Sequence, residues 1–333
     1  FETGGLIKKA FLFSRRSELM ILKYSCIDMA SDYCPCYLAE TGDCVICSIL
    51  RGQNNCDCRW QGICIFQEFL WNGKKKASSR KMIKAEIVDK KIFTDNLFIF
   101  TLKLPKDVHT IYFSQAGTYV FVKSQNSPDF YEVPLCVMDF DEENNLLVFA
   151  VQLLGPKTKA LFKENKNVVL RGPYYNGIFG LKYIKSSFNR NCLLVGRGIG
   201  QASLILVAKS LKRGYNKILA VLNPGSLSYN IAKEILFKEG ISVKEVNDEC
   251  YEEIILEDNY DLIYSAGADF QHNFIYDVIK RNNLKAELAI SNNAQICCGE
   301  GVCGSCAVNL NGEKIRLCKM QLEGKKILEE GLL

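Results

Sequence analysis

The segment Leu193-Leu194-Val195-Gly196-Arg197-Gly198-Ile199-Gly200 joins a short apolar run to a glycine-rich turn. Residues 201–213 then have the apolar spacing of a helix, which ends at Gly214. A strand, a glycine turn and a helix in this order predict the first unit of a doubly wound α/β sheet.

The glycines of this turn, Gly196, Gly198 and Gly200, would let a dinucleotide approach the start of the helix, where free N–H groups bind phosphate. The G-x-G-x-x-G pattern is incomplete, because Gln201 stands in the third glycine position. No acidic residue ends the next strand, Ala220–Asn223. A tight turn between a strand and a helix explains the same residues, so both interpretations stay open.

The alternation of strands and helices extends over residues 190–291, which we predict to form an α/β domain with a parallel sheet. The predicted strands are 193–195, 217–222, 241–246 and 261–264. The predicted helices are 201–213, 229–239 and 270–283.

Upstream, residues 81–185 have the rhythm of a small antiparallel β-barrel, with short strands punctuated by turn residues such as Ser127-Pro128-Asp129. The predicted strands are 82–88, 96–104, 118–123, 134–139, 146–153 and 167–170. Arg171-Gly172-Pro173 and Asn176-Gly177 are predicted to form a turn at the end of the barrel.

Between the last two barrel strands, Leu154-Gly155-Pro156-Lys157-Thr158 precedes a short predicted helix, 159–163. The backbone amides, the Lys157 ammonium and the Thr158 hydroxyl would suit a pyrophosphate. A capped helix start explains these residues equally well.

The C-terminal segment, 292–333, contains the pattern C-x4-C-x2-C-x11-C, formed by Cys298, Cys303, Cys306 and Cys318. This spacing is that of plant-type ferredoxins and predicts a [2Fe–2S] cluster. Gly299, Gly301 and Gly304 would let the loop wrap tightly and turn N–H groups towards the sulfurs. Structural zinc is the alternative, and the adjacent Cys297 could compete with Cys298 as a ligand.

The N-terminal segment, 1–75, is a second cysteine-rich module, joined to the barrel by a polar, basic linker at 72–80. Its candidate metal ligands are Cys34, Cys36, Cys44, Cys47, Cys56, Cys58 and Cys64, with Cys26 just upstream. Little hydrophobic sequence is available here, so a metal is expected to supply folding energy. An iron–sulfur cluster, zinc and redox or structural thiols stay open as interpretations.

The composition excludes several classes of function. The net charge of +5 over 333 residues is dispersed, which argues against nucleic acid as a partner. No apolar run approaches the ~18 residues of a membrane span. Clustered thiols in a large α/β protein indicate a reducing compartment, so we expect a cytoplasmic protein. The two histidines, His109 and His272, are expected at the surface.

These segments together resemble the ferredoxin-reductase superfamily. The order of barrel, glycine-turn domain and C-G-x-G-x-C-x-x-C tail is similar to the electron-transfer subunits of dihydroorotate dehydrogenase. It also resembles the small subunits of NADH-dependent ferredoxin:NADP oxidoreductase and of sulfide dehydrogenase. The resemblance covers roughly residues 81–325 and leaves the N-terminal module without a counterpart.

The resemblance implies FAD in the barrel, a nicotinamide nucleotide in the α/β domain, and a [2Fe–2S] cluster that faces a larger oxidoreductase subunit or a ferredoxin. The family's R-P-x-S-type flavin motif maps onto Val133-Pro134-Leu135-Cys136, and its phosphate turn maps onto Gly155, Lys157 and Thr158. Gly172 belongs to the supporting turn, and Gly267 lies in the segment near the nicotinamide.

Two departures from the family pattern lead to two hypotheses. Val133 replaces the flavin-site arginine, and Ser265-Ala266-Gly267-Ala268-Asp269-Phe270 replaces the C-G-P-x-x-M segment near the nicotinamide. These changes favour FAD and the cluster over the nicotinamide nucleotide. The leading hypothesis is an oxidoreductase subunit that moves electrons between NAD(P)H, FAD and iron–sulfur centres. The alternative is a non-catalytic, metal-binding adaptor on a degenerate reductase fold.

Overall fold

The computed structural model describes residues 25–58, 62–247 and 250–333. The chain divides into two compact units, Phe1–Ser78 and Ser79–Leu333. The first 24 residues of the predicted N-terminal module lie outside the described residues. Within the part of the chain that the structure describes, no helix combines the length and the apolar character needed to cross a bilayer.

In the described part of the first unit, residues 25–58 and 62–78, there is little regular structure. Its elements are strand β1 (Ser25–Cys26), helix α1 (Tyr37–Glu40), a 3₁₀ turn (Ile49–Arg51) and helix α2 (Ile65–Trp71). A small core holds these elements together, and two of its buried members are cysteines. The buried core residues are Ala39, Cys44, Ile46, Cys47, Leu50, Ile65 and Phe69.

The second unit begins with a curled, seven-stranded antiparallel sheet, as the sequence predicted. Its strands are β2 (Met82–Thr94), β3 (Leu97–Lys103), β4 (Tyr119–Ser124), β5 (Val133–Cys136), β6 (Asp139–Asp141), β7 (Leu146–Gln152) and β8 (Asn167–Tyr174). They are hydrogen-bonded in the order β5-β4-β8-β2-β3-β7-β6. Helix α3 (Pro156–Lys163) connects β7 to β8.

The interior of this sheet is filled by alternate side chains, because successive residues of a strand face opposite sides. Phe100 lies at its centre, with ring centroids 5.6 Å from Phe98 and 5.5 Å from Phe149. Large apolar residues on the other strands, such as Leu147 and Leu170, are fully buried. These residues form the core of the barrel, to which Leu206 of the following α/β domain also belongs.

Two local predictions for the barrel are wrong. The expected strand over 134–139 is two strands, β5 and β6. The expected turn at Arg171-Gly172-Pro173 lies inside β8 instead. Gly172 is in close contact with β4, since an added Cβ would lie 2.8 Å from Val120 Cγ1. This glycine permits two strands to approach and does not reverse the chain.

A six-stranded sheet follows, in agreement with the predicted α/β domain. Its strands are β9 (Ile178–Phe179), β10 (Asn191–Arg197), β11 (Lys217–Asn223), β12 (Ser242–Glu245), β13 (Leu262–Ala266) and β14 (Glu287–Ser291). The helices are α4 (Leu181–Lys185), α5 (Leu204–Arg213), α6 (Lys233–Lys238), α7 (Tyr251–Glu257) and α8 (Asp269–Arg281). The sequence did not predict α4, α7, β9 or β14.

The strand order is β12-β11-β10-β13-β14-β9, and only β9 is antiparallel to its neighbour. The chain runs outwards from β10 to β12 and then returns to place β13 on the other side of β10. In open α/β sheets such a reversal leaves a crevice at the carboxyl ends of the two central strands. The topology therefore places a crevice after Arg197 and after Ala266.

The tail is a hairpin followed by a short helix. Strands β15 (Ala307–Leu310) and β16 (Glu313–Arg316) are joined through Asn311 and Gly312, which both have positive φ. Asn-Gly is the pair that a two-residue hairpin turn prefers. Strand β17 (Met320–Gln321) and helix α9 (Gly324–Glu329) end the described chain.

Candidate functional site

A cavity of about 500 Å³ lies in this crevice, between the barrel and the carboxyl ends of β10 and β13. Its volume is within the ordinary range for small-molecule and cofactor sites. The barrel contributes Tyr119, Pro134, Leu135, Cys136, Ala150 and Gln152. The α/β sheet and its loops contribute Gly177, Arg197, Gly198, Ile199, Gly200, Ser203, Ser226, Gly267, Ala268, Ser291, Asn292, Asn293, Ala294 and Ile296.

The glycine turn after β10 lets neighbouring groups come closer to its backbone than a side chain would allow. An added Cβ on Gly196 would lie 2.0 Å from Leu204 Cδ1, and one on Gly200 would lie 2.6 Å from the Ala266 carbonyl oxygen. Gly198 has a φ of +56°. Gly198 and Gly200 line the cavity, whereas Gly196 packs the strand against α5.

Gln201, which occupies the third glycine position, has a structural role. Its side chain is fully buried and its Nε2 donates to the Asn223 carbonyl at 2.8 Å and to Asn230 Oδ1 at 2.7 Å. Its Oε1 accepts from the Ala232 N–H at 3.3 Å. The glutamine therefore ties β10 to the loop after β11.

On the barrel side, β5 forms an edge of the cavity through Pro134, Leu135 and Cys136. Burial raises the pKa of the Cys136 thiol to about 11. The thiol is therefore neutral at physiological pH and presents an S–H group, not a thiolate, to a molecule in the cavity.

The candidate phosphate turn before α3 does not line this cavity. The Thr158 hydroxyl accepts from the N–H groups of Leu154 at 3.1 Å and Gly155 at 3.2 Å, and donates to the Gly155 carbonyl at 3.0 Å. Lys157 Nζ donates to the Glu132 carbonyl at 3.4 Å. These bonds cap the helix, and a phosphate contact at Gly155, Lys157 and Thr158 stays a prediction.

Ser265 stands where the resemblance leads us to expect a cysteine, and its hydroxyl is buried behind the cavity. It lies 2.8 Å from His272 Nδ1 and accepts from Gln271 Nε2 at 3.1 Å. His272 Nε2 lies 3.0 Å from Ser291 Oγ, and Ser291 lines the cavity. The expectation that His272 is a surface residue is wrong, whereas His109 is exposed.

The buried His272 predicts a pH-dependent stability. Burial lowers its pKa to about 4, against about 6.5 in an unfolded chain. The stabilisation is complete above about pH 6.5 and is lost as the pH falls towards 4. Lowering the pH from about 7.5 to about 5 should therefore cost about 2 kcal/mol of unfolding free energy through this group.

Urea unfolding of the protein and of a His272→Gln variant at both pH values measures this contribution. The difference between the two proteins should shrink at the lower pH, because glutamine does not titrate. An equal pH dependence in the two proteins would contradict the assignment of His272 as a buried neutral group.

Three aromatic rings connect the cavity to the C-terminal cysteine loop. Tyr119, which lines the cavity, stacks on Tyr174 with centroids 5.3 Å apart, and Phe121 meets Tyr174 edge-on at 5.2 Å. On the far side of Tyr174, an added Cβ on Gly299 would lie only 2.6 Å from the ring. The loop that carries Cys298 therefore packs directly on the barrel.

The loop after Cys298 has the wrapped form that its glycines predict. Gly299, Gly301 and Gly304 have φ values of +71°, +80° and +74°. The Glu300 N–H donates to Cys298 Sγ at 3.3 Å. Burial opposes ionisation of this thiol, but the backbone N–H groups around it outweigh burial and hold the pKa of Cys298 below its ordinary value.

The four C-terminal cysteines form two interacting pairs. Cys298 and Cys303 are hydrogen-bonded to each other, and so are Cys306 and Cys318. The bond from Cys318, reinforced by its backbone N–H at 3.4 Å, lowers the pKa of Cys306 to about 6. Two pairs of thiols suit a centre of two irons held by four cysteines.

As the side chains stand, no three His, Cys, Asp or Glu residues in ranges 25–58, 62–247 and 250–333 form a group that could hold a single metal ion. The fit to a cluster rests instead on the two thiol pairs, the positive-φ glycines and the N–H groups that face sulfur. Cys297 is exposed and belongs to neither pair.

A buried group of charges holds the cysteine loop against the barrel. Glu300 Oε2 accepts hydrogen bonds from Arg80 Nη1 at 3.1 Å and from Lys319 Nζ at 3.2 Å. Its Oε1 accepts one from the Tyr174 hydroxyl at 2.8 Å. The Arg80 guanidinium also lies 4.1 Å from the centroid of the Tyr174 ring. Burial opposes ionisation of Glu300, but Lys319 and Arg80 outweigh burial and lower its pKa.

Arg171 extends this group of charges towards β5. It pairs with Glu132, next to the Val133 strand, and donates to the Cys298 carbonyl at 3.1 Å. Three cations, Arg80, Arg171 and Lys319, thus face two carboxylates, which leaves a net positive charge beside the cysteine loop. Such an environment stabilises an anionic centre.

The other end of the cysteine tail is held by amides. Asn176 is fully buried and donates to the Leu317 carbonyl at 2.5 Å and the Met320 carbonyl at 3.0 Å. Asn292 donates to the Leu317 carbonyl at 3.3 Å and to the Asn176 carbonyl at 2.7 Å. Cys318 follows Leu317 directly, so its position is tied to the rim of the cavity.

The structure thus brings together six of the predicted nucleotide-site residues on one cavity: Pro134, Leu135, Cys136, Gly198, Gly200 and Gly267. Sequence reasoning missed Arg197, Ser203, Asn292 and Asn293, which also line it. Arg197 could have been found, because it lies inside the glycine turn. The sequence pattern does not single out the two asparagines, because only the path of the chain after β14 brings them to the cavity.

No protein-family model matches the chain. The electron transfer subunit homolog of dihydroorotate dehydrogenase B from Thermotoga maritima is 26% identical over 242 residues, which are 68% of this chain and 81% of that protein. The corresponding subunit from Streptococcus thermophilus is 24% identical over 221 residues, 62% of this chain and 83% of that protein.

Among solved structures, an NADH-dependent reduced ferredoxin–NADP oxidoreductase superposes with a TM-score of 0.59 at 21% identity, over 74% of this chain and 92% of that one. The resemblance to the ferredoxin-reductase superfamily is confirmed. A ferredoxin NADP⁺ reductase from Neisseria gonorrhoeae, solved with FAD and NADP, gives a TM-score of 0.50 at 14% identity, over 64% of this chain and 98% of that one. The barrel and the α/β sheet therefore form a ferredoxin-reductase fold.

Proposed function

We propose that this chain is an electron-transfer flavoprotein subunit that moves electrons between NAD(P)H, FAD and iron–sulfur centres, to or from a larger oxidoreductase. The observation that carries the proposal is the continuous contact from the cavity, through Tyr119 and Tyr174, to the loop of Cys298. When bound, FAD would supply the chemistry that accepts the two electrons of one hydride and passes them on one at a time.

The residues of the cavity suit a flavin on the barrel side and a nucleotide on the other. Pro134, Leu135 and Cys136 give an apolar wall with one neutral S–H group. The opposite wall is backbone after β10 and β13, where glycines permit close approach, and Arg197 adds a positive charge. The cavity is large enough to hold the reacting rings of both molecules side by side.

The C-terminal cysteines would hold a [2Fe–2S] cluster. The backbone N–H groups, Arg171 and Lys319 would stabilise its negative charge and so favour its reduced state. Cys303 is exposed, and Val302 beside it is an exposed apolar residue. This side of the loop would face the partner oxidoreductase or a ferredoxin.

Arg197 provides a test of the nucleotide site. Replacing it with alanine should raise the KM for NADH or NADPH about 10- to 100-fold, because a charge-assisted bond to phosphate contributes about 1.5 to 3 kcal/mol. The flavin content should not change. Steady-state kinetics with an artificial acceptor measures the effect, and Arg213→Ala, at an exposed helix end, is the matched control. An unchanged KM would mean that the nucleotide does not contact Arg197.

The function itself is tested by cofactor analysis of the intact protein after anaerobic purification. We expect FAD, iron and acid-labile sulfide in the preparation, and bleaching of the flavin by NADH or NADPH. A protein that retains zinc but neither flavin nor iron, even after reconstitution, would favour the adaptor hypothesis instead.

A further inference from the structure

The N-terminal unit contains a cavity of about 20 Å³ that four cysteines help to line. These residues are Cys26, Cys34, Cys36 and Cys44. The rest of the wall is largely aliphatic and includes Met29, Leu38, Ile46 and Ile65. A space of this size exceeds that of a single water-sized sphere, so the cavity has room for a small occupant.

The backbone between these cysteines folds so as to bring them together. Successive turns lead from Cys26 to Cys34, with the Met29 N–H donating to the Cys26 carbonyl at 3.3 Å and the Cys34 N–H to the Ser31 carbonyl at 3.0 Å. Helix α1 then starts directly after Cys36, and Cys44 returns after the Asp43 N–H bonds to the Leu38 carbonyl at 2.8 Å. Local backbone hydrogen bonds therefore bring the four cysteines to the same cavity.

One of the four sulfurs already accepts a backbone hydrogen bond. The Cys47 N–H lies 3.4 Å from Cys44 Sγ, the same arrangement that Glu300 makes with Cys298. N–H groups that point at sulfur stabilise metal-bound thiolates. A site made of thiolates selects zinc or iron–sulfur centres over hard cations.

We propose that Cys26, Cys34, Cys36 and Cys44, whose side chains as they stand do not form a complete metal site, turn towards their common cavity to bind a thiophilic metal centre, either a zinc ion or an iron–sulfur cluster, which helps to fold the N-terminal unit. The proposal does not rest on the electron-transfer function. It adds Cys26 to the ligands expected from the sequence and separates them from Cys47, Cys56, Cys58 and Cys64, which do not line the cavity.

The remaining cysteines of this unit are arranged differently. The sulfurs of Cys56 and Cys58 lie 3.5 Å apart at the surface, and Cys64 is exposed. Residues 59–61, between Cys58 and Cys64, lie outside the described residues. Metal binding by this second group stays a prediction.

Metal analysis in a background that lacks the C-terminal cluster isolates the new site. The full-length chain with Cys306→Ser should still contain at least about one equivalent of zinc, or iron with matching acid-labile sulfide. Adding Cys34→Ser or Cys44→Ser should remove that metal, whereas adding Cys250→Ser should not. A metal-free Cys306→Ser protein, or metal that survives both substitutions, would overturn the proposal.

Thiol labelling of the unsubstituted protein tests whether metal is bound to these cysteines, and it does not rely on variants that fold poorly. Mass spectrometry would follow N-ethylmaleimide modification of Cys34 and Cys44 before and after treatment with a zinc or iron chelator. Metal-bound thiolates are protected until the metal leaves, so we expect labelling to accelerate about tenfold or more. Labelling that is equally slow after complete metal removal would show that the four cysteines are only packed side chains.

Discussion

Cys306→Ser is expected to abolish one-electron transfer through this chain while leaving reduction of the flavin by NAD(P)H intact. Cys306 is buried and pairs with Cys318 in the second of the two thiol pairs. Serine is a far poorer ligand for iron than a thiolate, so the cluster should not assemble. The rate of reduction of a one-electron protein acceptor should fall about 100-fold or more, in proportion to the lost cluster.

Two measurements on the same sample check this prediction. Electron paramagnetic resonance should lose the signal of the reduced [2Fe–2S] cluster, and stopped-flow absorbance should show unchanged flavin bleaching. Cys297→Ser is the matched control, because Cys297 is adjacent in sequence to the loop but exposed and outside both pairs. A Cys306→Ser protein that keeps the cluster signal would contradict the ligand assignment.

Glu300→Ala is expected to destabilise the attachment of the tail to the barrel by about 3 to 5 kcal/mol, the usual cost of leaving buried partners without their counter-charge. The side chains of Arg80 and Lys319 are only 2% and 0% exposed, so neither can recover full hydration when the carboxylate is removed. The tail should open more often, and the cluster should become labile.

Thermal unfolding and limited proteolysis of the tail measure this loss. Glu287→Ala is the matched control, because Glu287 pairs with Arg190 where both side chains are about one-third exposed, at 32% and 36%. Exposed pairs of this kind contribute about 1 kcal/mol or less. Equal effects of the two substitutions would mean that the Glu300 group does not hold the tail.

The sequence predicted the architecture because both sheets follow rules of local pattern. The apolar run of β10, the glycine turn and the helix after it are sufficient to predict a parallel sheet. The alternating strands of the barrel and the spacing of Cys298, Cys303 and Cys306 are equally local.

What the sequence did not predict depends on contacts between distant residues. Arg171 and Gly172 were expected in a turn, but Gly172 packs on Val120 of another strand and Arg171 reaches Cys298. His272 was expected at the surface because nothing in its own helix reveals the serines on β13 and β14 that surround it. The structural role of Glu300 could not be predicted from the sequence. Its partner Arg80 lies far from it along the chain, and its partner Lys319 lies beyond the cysteine loop.

For the N-terminal cysteines, too, the local pattern could be predicted but the contacts between the side chains could not. Their spacing was sufficient to predict a metal module but not to sort the ligands, since Cys47, eleven residues after Cys36, is as plausible a ligand as Cys26, eight residues before Cys34. The turns after Cys26 and the start of α1 decide which sulfurs share a cavity.

Rapid-freeze EPR of the anaerobic protein, after mixing with NADH or NADPH, tests whether electrons pass between the cavity and the C-terminal cysteines. We expect flavin bleaching to be followed by a reduced [2Fe–2S] signal, and we expect Cys306→Ser to remove only the second event. Flavin that is reduced while an intact cluster stays oxidised, with a low-potential chemical reductant showing that the cluster can be reduced, would contradict this expectation.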